Sequence, residues 1–459
     1  MSYISLGYLI IPKLKYFSNR SLSTILLLLW ISTTVPGQTS YCNGNRVLGM
    51  GIANAQNDSA NYPRSISFAK DSAGAQVINL LFTWNTLEAS PNVYSPVLLQ
   101  TANAYYPAQN LKISMNIAPI NTNVLCVPSD LDTVPFNSLK MIHRFERLLD
   151  TVFANIPNLS LYCLNIGNES DVTLGTNSVA WNQYTTFYDS VLSFVRSNHP
   201  GLKLGTTLTW GGLTAPSTIG FGQSLNAGSD IVSLTYYPLN SNFTVKVPST
   251  VPTDFASVVS AYPSTPICFQ ECGYPTSATC NSSDSLQNLF VYYVFSSWDY
   301  YDTKIPFISF FSLTDWSQKD VNSFANYYNL HDPVFLGYLS SLGMRTNPGN
   351  GTSKPAFEML RYQSAIRSCV TGIKVPLQAV QAGFYPNPCK TSANFFFQEP
   401  GEHLIEVFDL CGKKWKSQIC FGQAEQIILE DLSPGLYLVR ISGSLGNSAW
   451  VQKLIKLDP

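Results

Sequence analysis

The sequence predicts an α/β protein, a (β/α)8 barrel followed by a small all-β sandwich domain, and three observations carry that prediction. Between about Tyr41 and residue 370, eight short apolar strands alternate with amphipathic helical stretches. No Gly-rich phosphate turn follows the first strand, because Gly49-Met50-Gly51 is too short a fragment to make one. After Cys369 the pattern changes to short alternating strands with turn residues between them, which is the pattern of an antiparallel domain.

Residues 1–37 read as an export signal. Lys13, Lys15 and Arg20 precede the apolar run Ile25-Leu26-Leu27-Leu28-Leu29-Trp30-Ile31, and Gly37 sits at a plausible cleavage point before Gln38. The run is too short to span a bilayer comfortably, although a retained anchor is the competing reading. No later stretch is long and apolar enough for a transmembrane helix, so no stable membrane span is expected. Residues 41–370 form the barrel, with strands at Val47–Ala53, Gln76–Phe82, Leu111–Ile117, Leu159–Ile166, Leu202–Leu208, Asp230–Tyr236, Pro266–Gln270 and Ile305–Phe311. Helical stretches between them include Leu139–Phe153, Trp181–Val195 and Ser285–Ser297. Eight such units in roughly 330 residues suit a closed TIM barrel better than an open doubly wound sheet. Residues 371–380, beginning Thr371-Gly372-Ile373-Lys374-Val375-Pro376, read as a linker, and 381–459 as a sandwich with strands at Ser392–Phe397, Glu402–Asp409, Gln426–Leu429, Leu436–Ile441 and Trp450–Ile455.

Composition removes several function classes. A chain that is 45% hydrophobic and 12% charged, with a net charge of −1, is well cored and has no basic runs for binding nucleic acid. Richness in Asn, Ser, Thr and Tyr suits polar, uncharged ligands. Ten cysteines fit an oxidising destination, with Cys272–Cys280 and Cys411–Cys420 as the local disulfide candidates. None of the four histidines (His143, His199, His331, His403) lies at ligand spacing from a cysteine pair, so neither a metal nor another cofactor is expected.

Two segments carry the chemistry. Leu164-Asn165-Ile166-Gly167-Asn168-Glu169 and Ile267-Cys268-Phe269-Gln270-Glu271-Cys272 each run from an apolar strand into a glutamate, about 100 residues apart. Such a position costs desolvation free energy unless the carboxylate is used. In a barrel the carboxyl ends of all strands share one rim. Strict alternation places Asn165, Gly167 and Glu169 on one face and Phe269 with Glu271 on one face, so both acids are expected to enter the barrel mouth. An acid and a carboxylate there suit glycoside hydrolysis.

An Asn-Glu step ending strand four and a Glu ending strand seven resemble the pattern of the clan A (β/α)8 glycoside hydrolases, whose members mostly retain anomeric configuration. The resemblance implies Glu169 as acid/base, Asn168 as the contact to the sugar 2-hydroxyl and Glu271 as nucleophile. Trp84-Asn85-Thr86-Leu87-Glu88 with Pro91 and Tyr94 is similar to a segment after strand two in several of its families. Ser233-Leu234-Thr235-Tyr236-Tyr237-Pro238 resembles the sixth-strand segment of endo-galactanases, where a tyrosine holds the nucleophile. Thr314-Asp315-Trp316 resembles the strand-eight end that carries a sugar platform, and Gly343 through Lys354-Pro355-Ala356 a closing loop. Two features depart from the family: strand two lacks its arginine, and no proline follows Glu169.

The last 80 residues resemble the sorting domain of the type IX secretion system, through Tyr385-Pro386-Asn387-Pro388, Asp409-Leu410-Cys411-Gly412-Lys413, Leu432-Ser433-Pro434-Gly435-Leu436-Tyr437 and Lys453-Leu454-Ile455-Lys456. That implies export through the periplasm to a secreted or cell-surface location, with the translocon as partner. The resulting expectation is a secreted retaining glycosidase acting on a poly- or oligosaccharide, with Glu169 and Glu271 catalytic. Asn168, Tyr237, Trp316, Trp84, Tyr236 and Trp210 are its expected substrate contacts, since flat aromatic faces suit sugar rings. Glu88 reads as structural. The alternative is a non-catalytic glycan-binding or adhesive surface protein on the same scaffold.

Overall fold

In the computed structural model, described for residues 44–58, 61–367, 382–409, 413–443 and 449–458, the chain divides into two compact units, Met1–Arg367 and Ser368–Pro459. The expected signal segment and linker lie outside the described residues.

The first unit is a closed eight-stranded parallel barrel. Its strands are β1 (Val47–Met50), β2 (Val77–Thr83), β3 (Lys112–Asn121), β4 (Leu161–Asn168), β5 (Leu204–Thr209), β6 (Val232–Tyr236), β7 (Ile267–Cys272) and β8 (Phe307–Phe310). Each pairs with the next, and the ring closes through Val47 beside Phe307. Helices Leu139–Asn155, Ser178–Asn198 and Asp284–Tyr300 start where the sequence supplies caps. Ser138 accepts from the Met141 amide, Asn177 from Val179 and Ala180, and Ser283 from Leu286, satisfying amides that the helices leave open.

The main hydrophobic core lies between sheet and helices, where Phe255 stacks on Phe269 at 4.4 Å between ring centres. The barrel interior is polar by contrast. Gln270 points across it to the hydroxyls of Ser114 and Ser233.

This division shows why strict alternation misplaces the two acid-bearing strands. Phe269 faces the helices and Gln270 the interior, so Glu271 would turn outward again. A register shift between Phe269 and Glu271 cancels one alternation and returns Glu271 to the inside. On β4, a shift between Asn165 and Asn168 does similar work, with Gly167 at φ +88°. A Cβ on Gly167 would lie 2.2 Å from the Tyr184 hydroxyl, so that residue faces the helix layer and only glycine fits.

After β8 the chain does not return directly to the outer helix layer. Helices Gln318–Tyr328 and Pro333–Ser340 build a separate apolar cluster with Phe243, Phe311 and Leu342. Tyr327 accepts from Asn121 at 3.0 Å and the Tyr328 carbonyl from Asn123 at 3.2 Å, tying this insertion to the rim beyond β3.

The second unit is a five-stranded antiparallel sheet built from Ala382–Tyr385, Ser392–Asp409, Lys414–Ile428, Gly435–Gly443 and Ala449–Lys456. Its two longest strands shift register between Phe396 and Gly401, and one core gathers side chains from both halves, among them Phe395, Ile405, Val407, Ile427 and Val439. The expected strand pair Ser392–Phe397 and Glu402–Asp409 is therefore one continuous strand.

The Cys272–Cys280 disulfide expected from spacing does not form. Both thiols are free and buried in different clusters, Cys272 in the barrel core and Cys280 beneath the insertion, where its Sγ donates to the Val334 carbonyl. Cys411 lies outside the described residues, and Cys420 is a free buried thiol.

Glu88 is buried and accepts from the Trp84 indole at 2.8 Å, the Asn92 amide at 2.6 Å and the Arg144 guanidinium. Removing Arg144 strands a buried charge, whose cost exceeds that of losing a surface pair. Arg144→Ala should destabilise the barrel by about 3–5 kcal/mol in urea unfolding followed by tryptophan fluorescence; a loss under about 1 kcal/mol would show that the pair contributes no more than a surface one.

Candidate active site

At the carboxyl ends of β4 and β7, the register shifts bring two buried acids toward one space. Glu169 is 1% exposed and Glu271 7%. Glu169 sits in the left-handed region at φ +47°, just past the end of β4. Its carboxylate accepts from the Thr235 hydroxyl and, at 3.2 Å, from Thr122. Thr235 is the in-register neighbour of Glu271 on β6, so the residue holding one acid stands directly beside the other. Glu271 accepts from the Tyr237 hydroxyl at 2.6 Å.

Two more aromatic hydroxyls crowd these acids. Tyr328 and Tyr338 come from the insertion after β8, and burial together with the negative charges of Glu169 and Glu271 pushes both phenols well above their ordinary pKa. The same causes act on Tyr237, with Glu271 as the main charge. All three therefore remain protonated. Tyr328 lies beside Thr122 and Tyr338 beside Tyr237, yet neither hydroxyl has a partner at good hydrogen-bond geometry.

A cavity of about 500 Å³ opens from this centre across the ends of β4, β5 and β6. Glu169, Tyr237 and Tyr338 form its inner wall, and Trp210 and Lys246 stand further out. The Lys246 ammonium lies 5.3 Å from the centre of the Trp210 ring. Glu271 is not among the residues lining this cavity.

The other expected contacts divide between this space and the core. Asn168 is buried, its amide donating to Asn121 at 3.0 Å and accepting from Asn116 at 3.3 Å, which fixes it beside Glu169. Trp210 is half-buried on the cavity wall, its indole donating to the Asp254 carbonyl. Trp84 belongs to the core: no surface of it is exposed, Glu88 accepts a hydrogen bond from its indole N–H and Phe145 packs edge-on at 4.9 Å. Tyr236 packs among Phe255, Phe269 and Phe290, with its hydroxyl on Asp254, and is also one of the residues of the cavity wall. Trp316 lies beyond β8, which ends at Phe310, and packs beneath the insertion against Phe311 and Phe324. Where the family's strand-two arginine is missing, the Asn79 amide reaches the Gln270 carbonyl, next to Glu271. The holding residues Thr122 and Thr235 and the neighbouring phenols Tyr328 and Tyr338 escaped sequence reasoning. Only Thr235 had a legible signal, its place in the same strand end as Tyr237.

The fold is a (β/α)8 barrel with two strand-end glutamates on one rim. Among solved structures, an exo-β-1,4-mannosidase from Opitutaceae bacterium strain TAV5 is similar over 70% of this chain and 60% of its own, at TM-score 0.53 and 14% identity. This chain therefore spans about 60% of that protein's length. A GH5_18 protein from Bifidobacterium longum subsp. infantis matches over 70% of this chain and 78% of its own, at TM-score 0.53 and 11% identity. A family 39 glycoside hydrolase from Bacteroides cellulosilyticus WH2 matches over 85% and 82%, at TM-score 0.50 and 12% identity. Identities this low establish the shared barrel fold. No curated protein sequence matches the chain. Residues 383–457 match the family model of the secretion system C-terminal sorting domain, which indicates export of the chain.

Asp171 shares the cavity wall and accepts from the Thr209 amide at 2.8 Å and the Thr209 hydroxyl at 2.6 Å. Burial pushes its pKa from 3.8 up to about 6. The folded state thus holds the proton more tightly than the unfolded chain. This contribution is complete below about pH 4 and is lost as pH rises through about 6. Relative to Asp171→Asn, the natural protein should lose stability between those values and run parallel above pH 7 in denaturant titrations; a difference independent of pH would contradict this.

Proposed function

We propose that the chain is an exported retaining glycoside hydrolase acting on a poly- or oligosaccharide. The observation that carries this reading is a pair of buried strand-end acids on one rim, Glu169 held by Thr235 and Glu271 by Tyr237, with Thr235 the in-register neighbour of Glu271. In the first step the Glu271 carboxylate attacks the anomeric carbon, the bond to the leaving sugar breaks, and the Glu169 proton passes to the leaving oxygen. Water then attacks the glycosyl-enzyme, Glu169 takes its proton, and Glu271 is released. Two carboxylates close to one another favour one protonated and one ionised acid, the starting state this sequence needs. Retention requires the carboxyl groups roughly 5 Å apart. Tyr237 fixes the attacking oxygen, and Asn168 is assigned the sugar 2-hydroxyl. Export uses residues 1–37 to reach the periplasm and the C-terminal domain to engage the type IX translocon.

A second reading, glycan binding without hydrolysis, has one observation in its favour: Glu271 does not line the open cavity.

Screening the mature chain against a polysaccharide and oligosaccharide panel for released reducing ends separates the two. Glu271→Gln keeps an acceptor for Tyr237, so it should leave the fold intact while lowering turnover by roughly three orders of magnitude or more. Full activity in that variant would refute the assignment. Binding with no hydrolysis across the panel would favour the second reading.

A further inference from the structure

We propose, on the strength of the hydrolase reading, that Thr122 is a positioning residue for the acid: its hydroxyl, held where the backbone disfavours threonine, fixes the Glu169 carboxyl and favours its ionised form. The first observation is the backbone. At the end of β3 the chain folds back on itself, Ile120 pairing with Leu125 and Asn121 with Val124, so that two residues, Thr122 and Asn123, make the whole turn. Thr122 takes φ +57° there. Hairpin turns this tight give a left-handed position to glycine, asparagine or aspartate, because a side chain branched at Cβ crowds the backbone around it. Asparagine stands on either side in the sequence, yet threonine occupies the strained place. Breaks with local rules of this kind collect at functional sites.

The second observation is what the strained residue touches. The Thr122 amide donates to the Asn168 carbonyl at 2.8 Å, and its own carbonyl accepts from the Thr173 hydroxyl at 2.7 Å, so the turn is tied to the chain on both sides of Glu169. The Thr122 hydroxyl donates to Glu169 Oε2 at 3.2 Å, with Tyr328 beside it. Thr235 donates to the other oxygen, Oε1. Glu169 itself stands in left-handed backbone at φ +47°, so two strained residues face each other across the paired ends of β3 and β4. One hydroxyl on each oxygen fixes the plane of the carboxyl group. When Glu169 gains a proton, one of the two hydroxyls must stop donating, so the pair favours the ionised acid. The charges of Glu271, Asp171 and Asp254 act the other way, Lys246 stands further out on the cavity wall, and the phenols of Tyr237, Tyr328 and Tyr338 stay neutral.

A carboxyl titration that needs no turnover tests this. Protein carrying carbon-13 at its glutamate side-chain carboxyls is followed by NMR across pH, with Glu169→Gln assigning the signal. Thr122→Val, which keeps the branched shape, and Thr122→Gly, which relieves the backbone, should each raise the Glu169 midpoint by about one pH unit, the effect of one lost hydrogen bond to a charged group. Thr122→Ser should restore it to within about a third of a unit. The basic limb of kcat/KM should move upward with the midpoint in the valine and glycine variants. Thr122→Gly should also unfold at a higher urea concentration than Thr122→Val, since both lose the hydroxyl and only glycine is at ease in the turn. A midpoint unmoved in both variants, or a valine variant as stable as the glycine one, would overturn the proposal. If the natural protein hydrolyses no sugar while the midpoint still shifts, the positioning role stands and the hydrolase reading falls.

Discussion

Placing two carboxylates inside a packed barrel is the constraint from which most of this structure follows. An ionised carboxylate taken out of water is expensive unless donors replace its hydration. Glu169 and Glu271 obtain theirs from hydroxyls: Thr235 and Thr122 for one, Tyr237 for the other. The contrast with Glu88 is instructive. That carboxylate is tied to Arg144, Trp84 and a backbone amide, and its neighbourhood is core. Hydroxyl donors stabilise an acid without neutralising it, which leaves it able to exchange protons.

The register shifts on β4 and β7 serve the same constraint. A regular strand alternates faces, so a chain that needs an apolar residue on the helix side and an acid inside two residues later must break its register between them. Phe269 and Glu271 are such a pair. Gly167 shows the local cost, since its backbone conformation and the nearby Tyr184 hydroxyl exclude any side chain.

The barrel was legible because each of its eight strands is an apolar run bounded by polar turns, and the observed strands overlap the expected ones. The glutamates were legible as strand-end acids, though the parity argument reached the right side of β7 for the wrong reason. Trp84 misled because an aromatic near a strand end looks the same whether it packs inward or faces a ligand; the partner of its indole N–H, Glu88, sets it in the core. The insertion after β8 was missed altogether. Its helix has a legible pattern, Val321, Phe324, Ala325 and Tyr328 behind a Ser317 cap, but periodicity announces a helix without saying what it covers. Cysteine spacing failed because Cys272 and Cys280, close in sequence, belong to different packed clusters. In the C-terminal unit, Lys414–Cys420 was not foreseen as strand because its alternating residues, including Trp415 and Ile419, are largely exposed and interleaved with lysine and serine.

The central claim is that Glu271 bonds covalently to sugar while Glu169 moves the proton. Its most direct test is mass spectrometry of peptides after incubation with 2-deoxy-2-fluoro glycosides bearing an activated leaving group, with several sugars tried. A sugar mass on the peptide that contains Glu271 is the predicted result. An adduct on another residue, or turnover of the parent sugar with no adduct from its fluorinated form, would contradict it.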